Sequence, residues 1–198
     1  NLMEEIPIEN AELKEIINGF STSTHLLNET INDLVKVVII KDNPSIQKEE
    51  VLIKDVFENV FNQLSFLISL HKPILKIELE KVTILNINKA YLESILLNLF
   101  TNAVKYRSPK RTLRIFVSSK EVGDEIVLVF KDNGIGIDLE RNGDKIFGLY
   151  QRFHNYPDSK GLGLYLVKSQ VESMGGSIQV ESEVDKGTTF TITFKQIR

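Results

Sequence analysis

Two asparagines and a lysine are spaced so that they share one edge of a helix. Asn98, Asn102 and Lys105 follow one another at steps of four and three residues, which places their side chains on one face of an α-helix. Asparagine is a mediocre helix former, so this pair invites a functional explanation. An amide oxygen suits Mg²⁺, and a lysine one turn further can meet a phosphate. The alternative is a solvated face without a function.

Residues 127–137 run from an apolar stretch into an acid and two glycines. An ionised Asp132 at the end of a strand can only accept hydrogen bonds, so it suits an amino group such as the exocyclic amine of adenine. Gly134 and Gly136 allow the backbone to approach a ligand closely. A plain Asp-Asn-Gly turn is the alternative interpretation.

Two later segments carry glycines at the borders of predicted elements. Gly161 and Gly163 open an apolar helix, and a helix N-terminus with free N–H groups favours phosphate. Gly187 and Thr188 follow Asp185 in a turn that enters a strand, where a structural hairpin is the alternative. The P-loop, the complete dinucleotide fingerprint and the protein-kinase signatures are absent. Any nucleotide chemistry is therefore of another type.

The elements that must position these residues alternate along the chain. The hydrophobic pattern predicts strands near 50–53, 73–79, 82–87, 111–119, 125–131, 177–183 and 188–195, and helices over about 56–68, 89–106 and 161–174. Several strands are joined by tight turns. The pattern favours the α+β class, as a two-layer α/β sandwich with a mostly antiparallel sheet.

The segment from about residue 10 to 40 is predicted to be one long helix. Its apolar seam alternates steps of four and three through Leu13, Ile17, Phe20, Thr24, Leu27, Ile31, Leu34 and Val38. This heptad pattern is typical of helical bundles and predicts a homodimer, although packing on its own domain is an alternative. Asp42-Asn43-Pro44 ends the helix, so the predicted domains are 1–44 and 45–198.

Composition narrows the classes of function. The chain has 198 residues, a formal net charge of -3 and no cysteine, which excludes disulfides and thiolate metal sites and does not indicate a broad nucleic-acid surface. A local basic patch is left open by Lys105, Arg107, Lys110, Arg111 and Arg114. No apolar run has a membrane-spanning length, so a cytoplasmic location without membrane contact is expected. The first residue is Asn, and we expect a piece of a longer protein, for which membrane attachment is left open.

Five segments in this order resemble the catalytic, ATP-binding domain of sensor histidine kinases, within the wider gyrase/Hsp90/MutL-like ATPase family. The N box resembles Asn98-x-x-x-Asn102-Ala103-x-Lys105-Tyr106, and the F box resembles Phe147-Gly148-Leu149-Tyr150-Gln151-Arg152-Phe153. The three glycine boxes resemble Asp132-x-Gly134-x-Gly136, Gly161-Leu162-Gly163-Leu164 and Gly187-Thr188. The resemblance covers roughly residues 45 to 198 and implies a Bergerat-type fold that binds ATP and Mg²⁺.

The resemblance also implies a role for each matching position. Asn102 would hold Mg²⁺, and Asn98 stands where related ATPases carry an acidic general base. Lys105 would meet the phosphates, Tyr106 the nucleoside and Asp132 the adenine amine. Arg152 would approach the γ-phosphate, and residues 154–160 would form a short lid over the nucleotide. The members of the glycine boxes that would line the nucleotide are Gly134, Gly136, Gly161, Leu162, Gly163 and Thr188.

The implied activity is transfer of the γ-phosphoryl group of ATP to a histidine and on to a response-regulator aspartate. The helix at 10–40 resembles the second helix of the family's phosphoacceptor bundle. His25, His71 and His154 lack the context of the acceptor histidine. Arg107 and the Ser159-Lys160 pair also depart from the family pattern. A regulatory or scaffold module that binds ATP without transfer is therefore one alternative, and a dimerisation fragment with a vestigial site is another.

Overall fold

The computed structural model describes residues 10–42, 47–79, 84–151 and 161–195. The chain divides into two compact units, Asn1–Ile39 and Ile40–Arg198. Helix α1 spans Ala11–Asp42, which confirms the predicted long helix. Its start is capped by Asn10, whose side-chain oxygen accepts from the N–H of Glu12 at 2.9 Å, as expected of an N-cap asparagine.

Most of the described members of the apolar seam of α1 are exposed. Phe20 and Leu27, both members of the predicted seam, are 71% and 60% exposed. Leu13, Ile31 and Val38 on the same seam are also exposed. Thr24 turns its hydroxyl back to the carbonyl of Phe20 at 2.8 Å, so it leaves the seam apolar in character. An uncovered stripe of this kind is suited to a partner helix.

The second unit is built on a five-stranded sheet. Its strands are β2 (Ile74–Leu79), β4 (Arg114–Val122), β5 (Glu125–Asp132), β6 (Ser177–Glu183) and β7 (Gly187–Lys195), in the order β2-β4-β5-β7-β6. Only the β2-β4 pair within this sheet is parallel. Strands β1 (Glu49–Leu52) and β3 (Ile84–Ile87) form a separate antiparallel pair. The predicted sandwich with a mostly antiparallel sheet is confirmed.

The helices of this unit are α2 (Ile53–Gln63), α3 (Ser65–His71), α4 (Lys89–Lys105), the short α5 (Leu139–Asn142) and α6 (Gly163–Ser173). A 3₁₀ turn, Gly143–Lys145, follows α5. The prediction of a single helix over 56–68 was wrong. Leu64 takes φ -88° and ψ 2° and separates α2 from α3. The apolar spacing continues across this break, which is why the pattern concealed it. Helix α5 is too short to show a periodicity.

The core lies between the helices and one face of the sheet. Alternate residues of β5 point inward, so Ile126, Leu128 and Phe130 are buried. Helix α4 buries an apolar stripe, which includes Leu96. Phe100 of α4 stands edge-on to Phe130, with ring centroids 4.9 Å apart, a favoured aromatic geometry. This ring contact packs α4 against the sheet next to Asn98 and Asn102, which lie on the same helix.

Helices α4 and α6 are joined by a buried polar contact. Gln170 of α6 is 3% exposed and donates through Nε2 to the hydroxyl of Ser94 on α4 at 3.0 Å. Ser94 in turn accepts through its carbonyl from Asn98 Nδ2 at 2.9 Å. Because buried amides need partners, these bonds restrict how α6 can sit along α4. They also fix the side chain of Asn98.

Candidate functional site

Asn98 and Asn102 of α4 face the start of α6. A Cβ at Gly163 would lie 3.0 Å from Asn98 Oδ1 and 3.9 Å from Asn102 Nδ2. A larger residue at Gly163 would therefore crowd the Asn98 amide oxygen and contact the Asn102 amide. Since the Asn98 amide nitrogen is used by Ser94, its oxygen is the atom turned toward the α6 N-terminus. Two amides and a helix N-terminus converge here, a combination suited to an anion and its counter-ion.

The residues at this end fit Mg²⁺ carried by a phosphate ligand. Amide oxygens are hard donors, and Mg²⁺ keeps waters and phosphate oxygens as most of its ligands. Within the described ranges, no cluster of three or more His, Cys, Asp or Glu side chains could hold a metal ion. An ion bound at Asn102 would therefore depend on the phosphates of a nucleotide.

Lys105 and Tyr106 lie where α4 meets the Asp132–Gly136 loop. Lys105 Nζ lies 5.9 Å from the centroid of the Tyr106 ring. The carbonyl of Tyr106 accepts from the N–H of Ile135 at 2.9 Å. A Cβ at Gly134 would lie 2.6 Å from that same carbonyl oxygen, so only glycine allows this approach. The end of α4 is thereby tied to the loop that carries Asp132.

Asp132 is a buried acid at the end of β5. Its side chain is 9% exposed, and Oδ1 accepts from the N–H of Gly134 at 2.7 Å. Burial raises the pKa of Asp132 above its ordinary value, while hydrogen bonds from the main chain of Gly134 and Thr188 and the charge of Arg111 oppose that rise. Two main-chain donors thus orient an acceptor inside the fold, as adenine recognition would require.

Two glycines permit main-chain contacts that hold this loop in place. Gly136 has φ +70°, and a Cβ there would collide with the carbonyl oxygen of Glu183. Gly187 has φ +123°, and its Cβ would collide with the carbonyl oxygen of Asp132. The first and third predicted glycine boxes are therefore in direct contact. Thr188, which is buried, bonds its hydroxyl to that of Ser182 at 2.9 Å.

The second glycine box lies at the start of α6. Gly161 has φ +70°, and a Cβ there would lie 2.5 Å from the carbonyl oxygen of Gln151. Leu162 is 2% exposed, so its side chain is packed inside the protein. Gly163 borders Asn98 as described above. This box brings main-chain groups to the α4 asparagines.

Some predicted positions lie outside the described residues. These are Arg152, His154 and the rest of the predicted lid at 154–160, which includes Ser159 and Lys160. His25 lies on α1 and is exposed, and His71 is the last residue of α3. The predicted γ-phosphate role of Arg152 stays a prediction.

Sequence reasoning missed the residues that brace the Asp132 loop from outside. Arg111 donates through Nε to the carbonyl of Asn133 at 2.7 Å and through Nη2 to that of Gly134 at 2.6 Å. Asn133 accepts at Oδ1 from the N–H of Arg114 at 2.7 Å and donates from Nδ2 to Thr112 at 3.0 Å. The only available signal was the asparagine between Asp132 and Gly134, because asparagine often bonds to nearby backbone.

The basic residues near α4 do not form one outward patch. Arg111 is used by the loop, and Arg107 donates to the carbonyl of Val104 at 2.8 Å. Lys110 forms an exposed ion pair with Asp185 at 3.7 Å. These three side chains thus make contacts within the protein.

Comparison with known proteins identifies the family of the chain. The family model described as "Histidine kinase-, DNA gyrase B-, and HSP90-like ATPase" matches residues 87–198. The circadian input-output histidine kinase CikA of Synechococcus elongatus is 30% identical over 190 residues, which cover 90% of this chain and 24% of that protein. The chain spans 12% to 41% of the length of eight curated relatives that it matches.

Solved structures share the fold. The histidine kinase AdeS of Acinetobacter baumannii matches with a TM-score of 0.73 at 21% identity, over 100% of this chain and 90% of that one. Full-length ShkA in complex with AMPPNP matches with a TM-score of 0.76 at 19% identity, over 96% of this chain and 41% of that one. Within the described residues, no helix is long and apolar enough to cross a membrane. From its site, its fold and the family model, the chain belongs to the histidine kinase-, DNA gyrase B- and HSP90-like ATPase family.

Proposed function

We propose that residues 45–198 form the catalytic domain of a sensor histidine kinase. The domain binds ATP with Mg²⁺ and transfers the γ-phosphoryl group to a histidine, from which it passes to an aspartate of a response regulator. The observation that carries the proposal is the convergence of Asn98 and Asn102 with Gly163, joined through Tyr106 to the buried Asp132. One end suits phosphates with their metal ion, and the other suits adenine.

In this proposal, each side chain of the site contacts a different part of the nucleotide. Asp132 accepts from the exocyclic amine of adenine, Tyr106 borders the nucleoside, and Lys105 meets the phosphates as a point charge. Asn102 contributes its oxygen to Mg²⁺, which neutralises phosphate charge when bound. Gly134, Gly136 and Thr188 line the adenine end, and the main chain of Gly161, Leu162 and Gly163 lines the phosphate end.

Asn98 favours transfer over hydrolysis. A carboxylate at this position could take a proton from water, but an amide cannot do so at neutral pH. Its nitrogen is already bonded to the Ser94 carbonyl, so the residue is held as an acceptor and not as a base. Arg152 completes the proposal as a cation that stabilises the charge of the transferred group.

The rest of the molecule has a matching role in this proposal. Residues 1–44 contribute a helix to a homodimeric bundle through the exposed α1 seam. The receiver domain of a response regulator is the phosphoryl acceptor downstream. We place the protein in the cytoplasm, as part of a longer sensor, with no nucleic acid and no membrane contact from this segment.

Phosphotransfer in trans tests the proposal. The chain is supplied with Mg·ATP and a separate acceptor-helix fragment, and the expected product is phosphate on that fragment that is labile in acid and stable in base. A chain that binds ATP but never labels any acceptor fragment would support the scaffold function instead. A chain that binds no adenine nucleotide would refute both functions and favour a vestigial site.

A further inference from the structure

We infer that Arg111 is a positioning residue for adenine recognition, which it serves by fastening the Asp132–Gly136 loop through two consecutive carbonyls. The inference rests on the proposed function, since it concerns how the adenine acceptor is held. Arg111 makes these contacts from the turn that precedes β4, outside all five motifs of the resemblance.

One peptide unit links Arg111 to the Asp132 carboxylate. The carbonyl of Asn133 and the N–H of Gly134 belong to the same planar group. Arg111 Nε holds that carbonyl at 2.7 Å, and the N–H donates to Asp132 Oδ1 at 2.7 Å. Because the peptide is planar, holding its oxygen also sets the direction of its N–H. The orientation of the carboxylate therefore depends on the guanidinium.

The second carbonyl makes the contact specific to arginine. Arg111 Nη2 reaches the carbonyl of Gly134 at 2.6 Å, so the flat fork of the guanidinium spans two neighbouring peptide units. A lysine at this position has one ammonium and cannot present two parallel donors in a fixed plane. Glycine gives this loop much backbone freedom, and a rigid fork removes that freedom where the ligand must be met.

The charge of Arg111 acts in the same direction as its geometry. Burial of Asp132 favours the protonated acid, which is a poorer acceptor, and the nearby guanidinium favours the ionised form. Besides Arg111, the groups that act on the carboxylate are the main-chain N–H groups of Gly134 and Thr188. Arg111 thus supports the carboxylate both as an oriented group and as an anion.

The test compares two nucleotides that differ only in the group that Asp132 would recognise. Calorimetric titration of the whole chain with ATP and with purine riboside triphosphate, which lacks the 6-amino group, gives a ratio of affinities. We expect the unchanged chain to prefer ATP. In Arg111→Met this preference falls about tenfold, the value of one well-placed hydrogen bond to a charged group, while binding of the purine analogue changes little.

Lys131→Met is the matched control. Lys131 is exposed and directly precedes Asp132, so this variant removes the same charge beside the same residue without touching the fork. We expect its nucleotide preference to equal that of the unchanged chain. Arg111→Lys retains the charge but not the fork and should lose most of the preference. If Arg111→Met fails to fold, Arg111→Lys is the variant that tests the inference.

The outcomes separate the inference from the function on which it rests. If the unchanged chain binds both nucleotides equally, the adenine role of Asp132 fails and the inference fails with it. If the unchanged chain prefers ATP and both Arg111 variants keep that preference, only the inference is overturned. An equal loss of affinity for both nucleotides would also overturn it, because it would indicate a contact with the phosphates or a general loss of structure.

Discussion

Asp132 must satisfy two opposed requirements. In its proposed role as an adenine acceptor it has to be ionised, yet its burial favours the protonated acid. Main-chain donors at Gly134 and Thr188 and the charge of Arg111 reduce this effect of burial. The site is therefore expected to be sensitive to acid in a way that an exposed aspartate would not be.

We expect Asp132→Asn to weaken ATP binding by more than about tenfold, because it places an amide donor against the adenine amine. The raised pKa of Asp132 predicts that ATP affinity of the unchanged chain falls on acidification at a pH above the ordinary value of 3.8. Calorimetry across that range checks both statements, with Asp132→Asn expected to lack this acid dependence. Unchanged affinity in the variant would refute the adenine role.

The ionisation of Asp132 affects the free energy of unfolding and the ATP affinity in opposite directions as the pH rises. The folded chain holds the Asp132 proton more tightly than the unfolded chain does, because the folded pKa is raised. Its contribution to the free energy of unfolding therefore decreases as pH rises from the unfolded value through the folded one. The ionised acceptor is kept at a cost to the fold, a trade common at functional sites.

Asn102 gives a second prediction at the residue scale. Asn102→Ala should abolish the dependence of nucleotide binding on Mg²⁺, since it removes the proposed amide ligand. ATP titrations with Mg²⁺ and with a chelator measure the effect. Thr101→Ala is the control, because Thr101 is exposed and its hydroxyl is bonded to the Leu97 carbonyl at 2.7 Å. A variant at Asn102 that still responds to Mg²⁺ would contradict the assignment.

Local spacing revealed Asp132 and the α4 asparagines but not Arg111. The motif of an acid at a strand end followed by two glycines can be recognised in the sequence, because its residues are close neighbours along the chain. Arg111 acts on the carbonyls of residues that follow it by more than twenty positions. Its partners are main-chain atoms that every residue possesses, so no side-chain pattern marks them. Only the pairing of β4 with β5 brings them together.

At the scale of elements, β7 supports the proposed adenine end of the site through its first residue. Gly187 lies against the main chain of Asp132 and Asn133 with φ +123°, a conformation that other residues rarely adopt. The contact explains why a glycine box stands at the entry to a strand. The hairpin interpretation of the sequence and the functional one therefore describe the same turn.

We expect Gly187→Ala to reduce the free energy of unfolding by more than about 2 kcal/mol, through backbone strain and collision with Asp132. It should also weaken ATP binding, because the strand end must shift. Gly123→Ala is the control: Gly123 has φ +63° but open space around it, so only the strain of about 1 kcal/mol is expected. Thermal unfolding and calorimetry of both variants test this, and full ATP affinity in Gly187→Ala would contradict the contact.

Helices and strands were predictable wherever the hydrophobic periodicity of the sequence was unbroken. Helix α4 and the β6–β7 pair match their predicted positions because their apolar spacing and flanking turns agree. Strand β4 begins at Arg114 and not at residue 111, since Arg111 turns toward the loop. The first residue of that strand is therefore determined by the contact of Arg111 with the loop, which local strand propensity cannot predict.

At the scale of the whole molecule, α1 leaves its apolar seam exposed. Exposed apolar residues are ordinary when scattered, but these recur at heptad spacing along one helix. A stripe of this kind on a soluble surface is typical of an interface between helices. The unit Ile40–Arg198 has a core of its own.

We expect the chain to form a dimer that Leu27→Glu converts to a monomer, because a charge at the seam disfavours helix pairing. Asn28→Glu places the same charge on the next, exposed residue and should leave the dimer intact. Sedimentation velocity over a range of concentrations measures both variants. ATP affinity should be equal in the two, since the proposed site uses residues outside α1. A monomeric unchanged chain at high concentration would refute the bundle.

The contact between Gly187 and Asp132 also bears on how the domain folds. The two residues are separated by more than fifty positions, so the proposed adenine end cannot form until β7 has paired with β5. Closing such long loops is slow compared with forming local structure. A nucleotide at this site would therefore recognise only the completed sheet. Its binding would stabilise the domain as one cooperative unit and would leave partly folded forms unprotected.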